Sequence, residues 1–370
     1  MNDGQRARRQ AEERARLAMM HPRERRAQAL RRLVKGGVAL SVFVLALGFV
    51  YVDFGTKAVH AIVPTQPSRA AAKADPVQPG PKASPPPPSG TTADLVVLVS
   101  FDGLRPDAIT PGMRALHKLY LQGASPQLAR TIDKSATLPS HASMVSGVNP
   151  DEHGLDFNAY RPDRGVISRP TVFSVAHAAG LPTSMFVGKN KLKHLLARPT
   201  DAEFKMGGML CEKLLKFALP HLREAKKGLV FLHFADVDSA GHRVGWMTDE
   251  YMEAAYTADR CLDTVMDTLV EAGRLDRTLL IVTSDHGGHN RGHGTRLDVD
   301  QRIPWFAWGA GVKRGRIARS VHTTDTAATV MAALGLALPA GTHGQPVTEA
   351  FSRPLGPAGM PMVGAPVGTP

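Results

Sequence analysis

Cysteine is scarce, with only Cys211 and Cys261 in 370 residues. That excludes a fold held together by a disulfide framework. The two thiols could pair outside the cytoplasm or stay free, and their spacing does not choose between these. No internal repeat is present, so a solenoid or propeller is excluded as well. The excess of basic charge is small over most of the chain despite a net charge of +12. Residues 1–35 hold ten Arg and one Lys against Asp3, Glu12, Glu13 and Glu24, so 11 − 4 gives +7 of that total. The basicity is therefore local. Juxtamembrane charge accounts for it without nucleic acid as a partner.

Residues 36–52, GGVALSVFVLALGFVYV, carry no charge at all. Their length is near the lower limit of about 17 residues for a membrane helix. Arg31, Arg32 and Lys35 precede the segment and Pro-rich polar sequence follows it, so the positive-inside bias puts the N-terminus in the cytoplasm and the rest outside. This predicts a single-pass protein of the inner (cytoplasmic) membrane with its catalytic domain on the extracytoplasmic, periplasmic side. Two other readings compete with the anchor: a buried core helix, and a signal peptide cleaved after the small-residue spacing Val59-His60-Ala61. Residues 53–93 are rich in Pro and Ala and read as a spacer. The catalytic domain is expected at 94–354, and the Pro/Gly tail 355–370 is expected to be disordered.

Within 94–354, the continuous apolar runs at 95–101, 228–234 and 278–283 have the pattern of parallel strands buried on both faces. Helical periodicity separates them. One helix is expected over 249–272, ending at Gly273, and another from Thr324 or Asp325 to Gly335. The order predicts an α/β fold, a mostly parallel central sheet with helices on both faces, whose ligands bind at the carboxyl ends of the strands.

Four stretches carry the chemistry: SFDG at 100–103, TLPSH at 137–141, DSAGH at 238–242 and SDHGGHNRGH at 284–293. Asp and His hold zinc-like ions, and three protein ligands per metal leave a position open for substrate. Asp102, Asp238, His242, Asp285, His286 and His293 could supply two such sets. Asp102 and Asp285-His286 each follow directly on a buried strand and so belong at one edge of the sheet. Asp238 and His242 are one helical turn apart. His293 lies in a Gly-rich loop, where His289 and His343 are alternatives for the same position. Thr137 stands just before Pro139 at an expected helix start, where free N–H groups favour a phosphate. Its hydroxyl is a candidate nucleophile. A helix cap is the simpler role for that threonine.

The ordered set FDG, T-x-P-S-H, D-x-x-G-H, DHG and a later HG resembles the alkaline phosphatase superfamily, in its type I phosphodiesterase and nucleotide pyrophosphatase branch. The resemblance covers about 94–350. It implies two zinc ions per chain, one held by Asp102, Asp285, His286 and Thr137, the other by Asp238, His242 and His293. It also implies that Asn158 bonds a phosphoryl oxygen. The compact loop around His293 is similar to that of glycolipid ethanolamine-phosphate transferases. VGKNKL at 187–192 is similar to a stretch with which phosphonoacetate hydrolases hold a carboxylate, which makes Lys189 and Lys191 candidate substrate contacts.

The expected activity is hydrolysis of small phosphate diesters or nucleotide-like pyrophosphates through a phosphothreonine. A phosphomonoesterase is the nearest alternative, although no guanidinium clamp is evident near Thr137. A phosphonoacetate hydrolase-like enzyme is a second alternative, and a non-enzymatic metal-binding envelope protein a third. A sulfatase is disfavoured because Thr137 and His141 stand where those enzymes place Cys or Ser and Arg.

Overall fold

A computed structural model describes residues 92–353 and Leu355. The expected leader, membrane helix and most of the spacer and tail lie outside the described residues. Among those described, no helix is long and apolar enough to cross a membrane.

The main elements in chain order are β1 (Leu95–Phe101), α1 (Arg114–Gln122), β2 (Ala124–Pro126), β3 (Ala129–Arg130), α2 (Thr137–Ser146), α3 (Val172–Ala178), β4 (Thr183–Val187), β5 (Glu203–Met206) and α4 (Cys211–Glu224). There follow β6 (Gly228–Phe234), α5 (Asp236–Val244), α6 (Asp249–Glu271), β7 (Thr278–Ser284), β8 (Arg302–Ile303), β9 (Trp305–Gly309), β10 (Gly315–Ile317), β11 (Val321–His322) and α7 (Thr323–Ala333). Eight strands form one sheet in the order β10-β2-β9-β7-β1-β6-β4-β5, and β11-β3-β8 form a small second sheet.

The three apolar runs are the centre of the large sheet. β1 pairs in parallel with β6 and β7, and every residue of the three strands is buried. Alternate side chains serve opposite cores, as a period of two requires. Val96 and Leu98 pack with Leu138, Phe173 and Val330 of α2, α3 and α7, whereas Val97, Val99 and Phe101 pack with Leu116, Leu214 and Leu262 of α1, α4 and α6. Helices thus cover both faces.

One flank departs from the parallel expectation. β9 runs antiparallel to β7, and β2 antiparallel to β9, so the sheet is mixed. β9 follows β7 after a loop and only a one-turn helix, Asp298–Gln301, and that connection brings it back antiparallel.

α6 is the long amphipathic helix expected from its periodicity. Thr248 caps its start by accepting from the Tyr251 N–H at 3.4 Å, and Gly273 just past its end takes φ +66°. Cys211 opens α4 and Cys261 lies within α6; the two are joined as a disulfide, which settles the pairing left open by their spacing.

Candidate active site

The site is built where β1, β6 and β7 end together. Phe101 lies opposite both Phe234 and Ser284, so Asp102 and Asp285 emerge side by side. Two backbone bonds bring in the third carboxylate: the Asp102 N–H donates to Phe234 O, and the Asp238 N–H donates to Asp102 O, both at 2.9 Å. Gly103 makes this approach possible. Its φ is +74°, and a Cβ there would lie 2.9 Å from the Asp238 Cβ. Its N–H donates to Asp285 Oδ1, and its carbonyl accepts from Trp246 and Tyr251.

Thr137 is the first residue of α2, with Ala136 rather than Thr137 in the capping position. That frees the hydroxyl, and Thr137 Oγ1 lies 3.5 Å from His286 Nε2. The His286 ring donates from Nδ1 to the Gly287 carbonyl at 2.7 Å. In the neutral ring this leaves Nε2 as a lone pair aimed at the carboxylates. Nε2 is 3.3 Å from Asp285, 3.4 Å from Asp102 and 3.9 Å from Asp238.

A second group adjoins the first. Asp238 and His242 lie one turn apart on α5, with 3.4 Å between Oδ1 and Nε2. His293 Nε2 is 3.2 Å from His242 Nε2 and 3.6 Å from Asp238 Oδ1. Both imidazoles donate from Nδ1 to backbone carbonyls, those of Arg291 and Ser135. Two nitrogen lone pairs therefore converge, an arrangement that favours a shared cation.

Buried oxygens give an independent test of fit to a metal. Asp102 Oδ1, Asp238 Oδ1 and Asp285 Oδ2 are buried without a hydrogen-bond partner. Unpartnered buried carboxylate oxygens are costly unless a cation satisfies them. Donor atoms of Asp238, His242 and His293 lie within 4.8 Å of one another, as do those of Asp102, Asp238 and His286. Mixed imidazole and carboxylate donors suit a divalent ion such as zinc. The resemblance assigned Asp238 to one group only; here its Oδ1 faces both.

Electrostatics follow from this crowding. Burial opposes the charge of Asp102, but the Lys189 ammonium and the bond from His233 outweigh it and hold the carboxyl well below its ordinary range. Asp285 is pushed up by burial and by the Asp102 charge. Burial lowers His293 to about 4, helped by the neighbouring His286.

Asn158 and the two lysines take defined places. The Leu138 N–H and Lys191 Nζ both donate to Asn158 Oδ1, at 3.0 Å each. The amide nitrogen of Asn158 is thereby turned to the other side. Lys189 differs from the sequence expectation. Its ammonium bridges Asp102, at 2.7 Å, and Asp238, among the carboxylates rather than at an outer substrate contact. Of the rivals to His293, His289 donates to Asp300 at 2.8 Å and pins the loop, while His343 pairs with Glu152. Neither joins the cluster.

Sequence reasoning gave no role to His233 or His141. His233, at the end of β6, accepts from the Gly188 N–H and donates from Nε2 to Asp102 Oδ2 at 2.9 Å. His141 donates to the Thr137 carbonyl at 2.7 Å and lies 3.3 Å from Asp285. A signal existed for both: His233 closes an apolar run opposite Ser100, and His141 stands one turn after Thr137.

The type I phosphodiesterase / nucleotide pyrophosphatase family model matches residues 96–301, more than half of the chain. The chain belongs to that family. Its match spans every residue of the cluster just described; His343 lies beyond it. A venom phosphodiesterase of Macrovipera lebetinus is 27% identical over 225 residues, 54% of this chain and 26% of that protein. Human ectonucleotide pyrophosphatase/phosphodiesterase family member 7 is 25% identical over 239 residues, covering 56% of this chain and 50% of that one. The chain thus spans between about a quarter and a half of these family members. Murine ectonucleotide pyrophosphatase/phosphodiesterase 5, solved as an inactive variant with AMP, superposes with a TM-score of 0.60 at 15% identity, covering 70% of this chain and 99% of that one. A putative Bacteroides thetaiotaomicron sulfatase superposes at 0.58 and 16% identity, covering 70% of this chain and 74% of that one. At such identities the likeness is one of fold, the alkaline phosphatase-like α/β architecture.

Proposed function

We propose that this protein is a zinc-dependent hydrolase of phosphate diesters or pyrophosphates that works through a phosphothreonine, held at a membrane by residues 36–52. The observation that carries the reading is the free Thr137 hydroxyl at the start of α2, 3.5 Å from His286 Nε2 and beside three carboxylates with unpartnered oxygens. Family membership and the relatives named as phosphodiesterases support the substrate class.

Asp102, Asp285 and His286 would hold one zinc ion near Thr137, Asp238, His242 and His293 the other, with Asp238 in reach of both. Bound zinc supplies Lewis-acid stabilisation of phosphoryl charge and lowers the pKa of a hydroxyl. Thr137 Oγ1, its proton passing to solvent, attacks phosphorus in line, forming the Thr–O–P bond as the ester P–O bond breaks with its electron pair on the departing oxygen, which takes a proton from solvent. Asn158, with Oδ1 occupied by Leu138 and Lys191, presents its amide N–H groups to a phosphoryl oxygen. The dipole of α2 adds partial positive charge at its start, where the Leu138 N–H is taken by Asn158 and Pro139 has none. Water then attacks the phosphothreonine, and Thr137 recovers its proton.

Acid-quenching the protein during turnover of bis-p-nitrophenyl phosphate should leave a phosphoryl ester on Thr137, read by mass spectrometry. Thr137→Val should lower turnover about 10³-fold or more and keep its zinc. Near-normal turnover by that variant would defeat the covalent route in favour of direct attack by water. Relative rates on p-nitrophenyl phosphate and phosphonoacetate separate the diesterase from the monoesterase and phosphonate readings.

A further inference from the structure

The carboxyl edge of the sheet carries an apolar lip beside the site. Met206, Met209, Leu210 and Phe217 are each between 44 and 48% exposed. Met209, Leu210 and Phe217 lie on the α4 side, while Met206, in register with Val187, projects from the other face of the same edge strand. β5 ends at Met206, opposite Val187 of β4, and the Gly207 N–H donates to Val187 O. A Cβ on Gly188 would lie 3.3 Å from Gly208 O, so this loop rests against the residue just before Lys189. Leu210 leads into α4, where Phe217 follows seven residues on, on the same face. Lys205 Nζ lies 4.5 Å over the Phe217 ring, and residues 205–217 contain Lys205, Lys213 and Lys216 against Glu212 alone. Protruding apolar side chains interleaved with lysines, whose stems cover apolar surface while their charges reach outward, match the headgroup boundary of an anionic bilayer.

We infer that this lip docks on an anionic phospholipid surface, bringing the catalytic edge to the headgroup layer. Residues 53–91 span at most roughly 130 Å when extended, enough for either edge of a domain of this size to reach the bilayer. The docking stands on the lip itself; its consequence for catalysis, uptake of phosphate esters at the lipid surface, rests on the function proposed above.

The test uses the full chain in phosphatidylcholine/phosphatidylglycerol vesicles. An environment-sensitive dye is attached at Met209→Cys, with Lys226→Cys, just before β6 at the opposite edge, as reference. Position 209 should shift to the blue and be quenched by doxyl-labelled lipid severalfold more than position 226. Lys205→Glu with Lys213→Glu should reduce that quenching at least severalfold while turnover of soluble bis-p-nitrophenyl phosphate stays unchanged. Equal quenching at both positions overturns the proposal. So does a blue shift without lipid quenching that fades on dilution among vesicles, since a second copy of the chain would then cover the lip. Because the dye reports contact and not turnover, failure of the proposed chemistry leaves this result readable.

Discussion

Asp238 Oδ1 lies 3.4 Å from His242, 3.6 Å from His293 and 3.9 Å from His286, so one carboxylate faces both donor groups. Losing it should cost more than losing a ligand of one group. Asp238→Ala is expected to empty both zinc positions, His242→Ala only one, as read by metal analysis of chelator-free protein. Wild-type protein should contain two zinc ions; chelator should abolish activity and zinc restore it. Among the histidines of the last motif, His293→Ala should lose an ion, while His289→Ala and His343→Ala keep both, because their rings are engaged with Asp300 and Glu152. Loss of zinc from either rival, with retention in His293→Ala, would reassign the ligand.

At the scale of elements, α2, which opens on Thr137, is braced by a buried histidine. His153 Nδ1 accepts from the Leu155 N–H, and its Nε2 faces Ser143 Oγ of α2, both at 3.1 Å. Burial lowers its pKa from 6.5 to about 4. The folded protein thus binds fewer protons at this residue than the unfolded chain between those values. Its contribution to stability is full above about pH 6.5 and is lost as pH falls toward 4. Between about pH 7 and pH 5, the melting temperature of wild type should fall more than that of His153→Gln. The Cys211–Cys261 bridge ties α4 to α6 across 50 residues. Replacing both by Ala should cost about 2–4 kcal/mol, a drop of several degrees in melting temperature, with turnover at low temperature retained because the bridge touches no site residue.

For the whole molecule, the uncharged segment 36–52 and the charged leader before it set the expected topology. Fractionation should place the chain in the membrane, and protease added to spheroplasts should digest the domain beginning near residue 94. A shielded domain would reverse the orientation. A mature form beginning near Ile62 would show that the segment is cleaved.

The strands were legible because a strand buried on both faces needs an unbroken apolar run, and β1, β6 and β7 have one each. α6 and α7 were legible from their periodicity and the glycines after them. Asp102, Asp285 and His286 were legible because they follow strand ends, and Thr137 and Asp238 because they lie in the first turn of a helix, where a short sequence fixes position. The antiparallel flank was not, since short strands such as β2, β9 and β10 carry too little pattern to give direction. Distance along the chain also hid the contacts made between elements. His233 meets Asp102, Lys189 reaches two carboxylates and Asp238 faces both groups only because β1, β4, β6 and β7 end at one edge. The sequence by itself determined which chemical groups this protein has and their order. The tertiary structure alone decided which of them converge as donor groups, which merely hold a neighbour in place, and that Cys211 meets Cys261, because those outcomes depend on separations of a few ångströms between residues tens to hundreds apart in the chain.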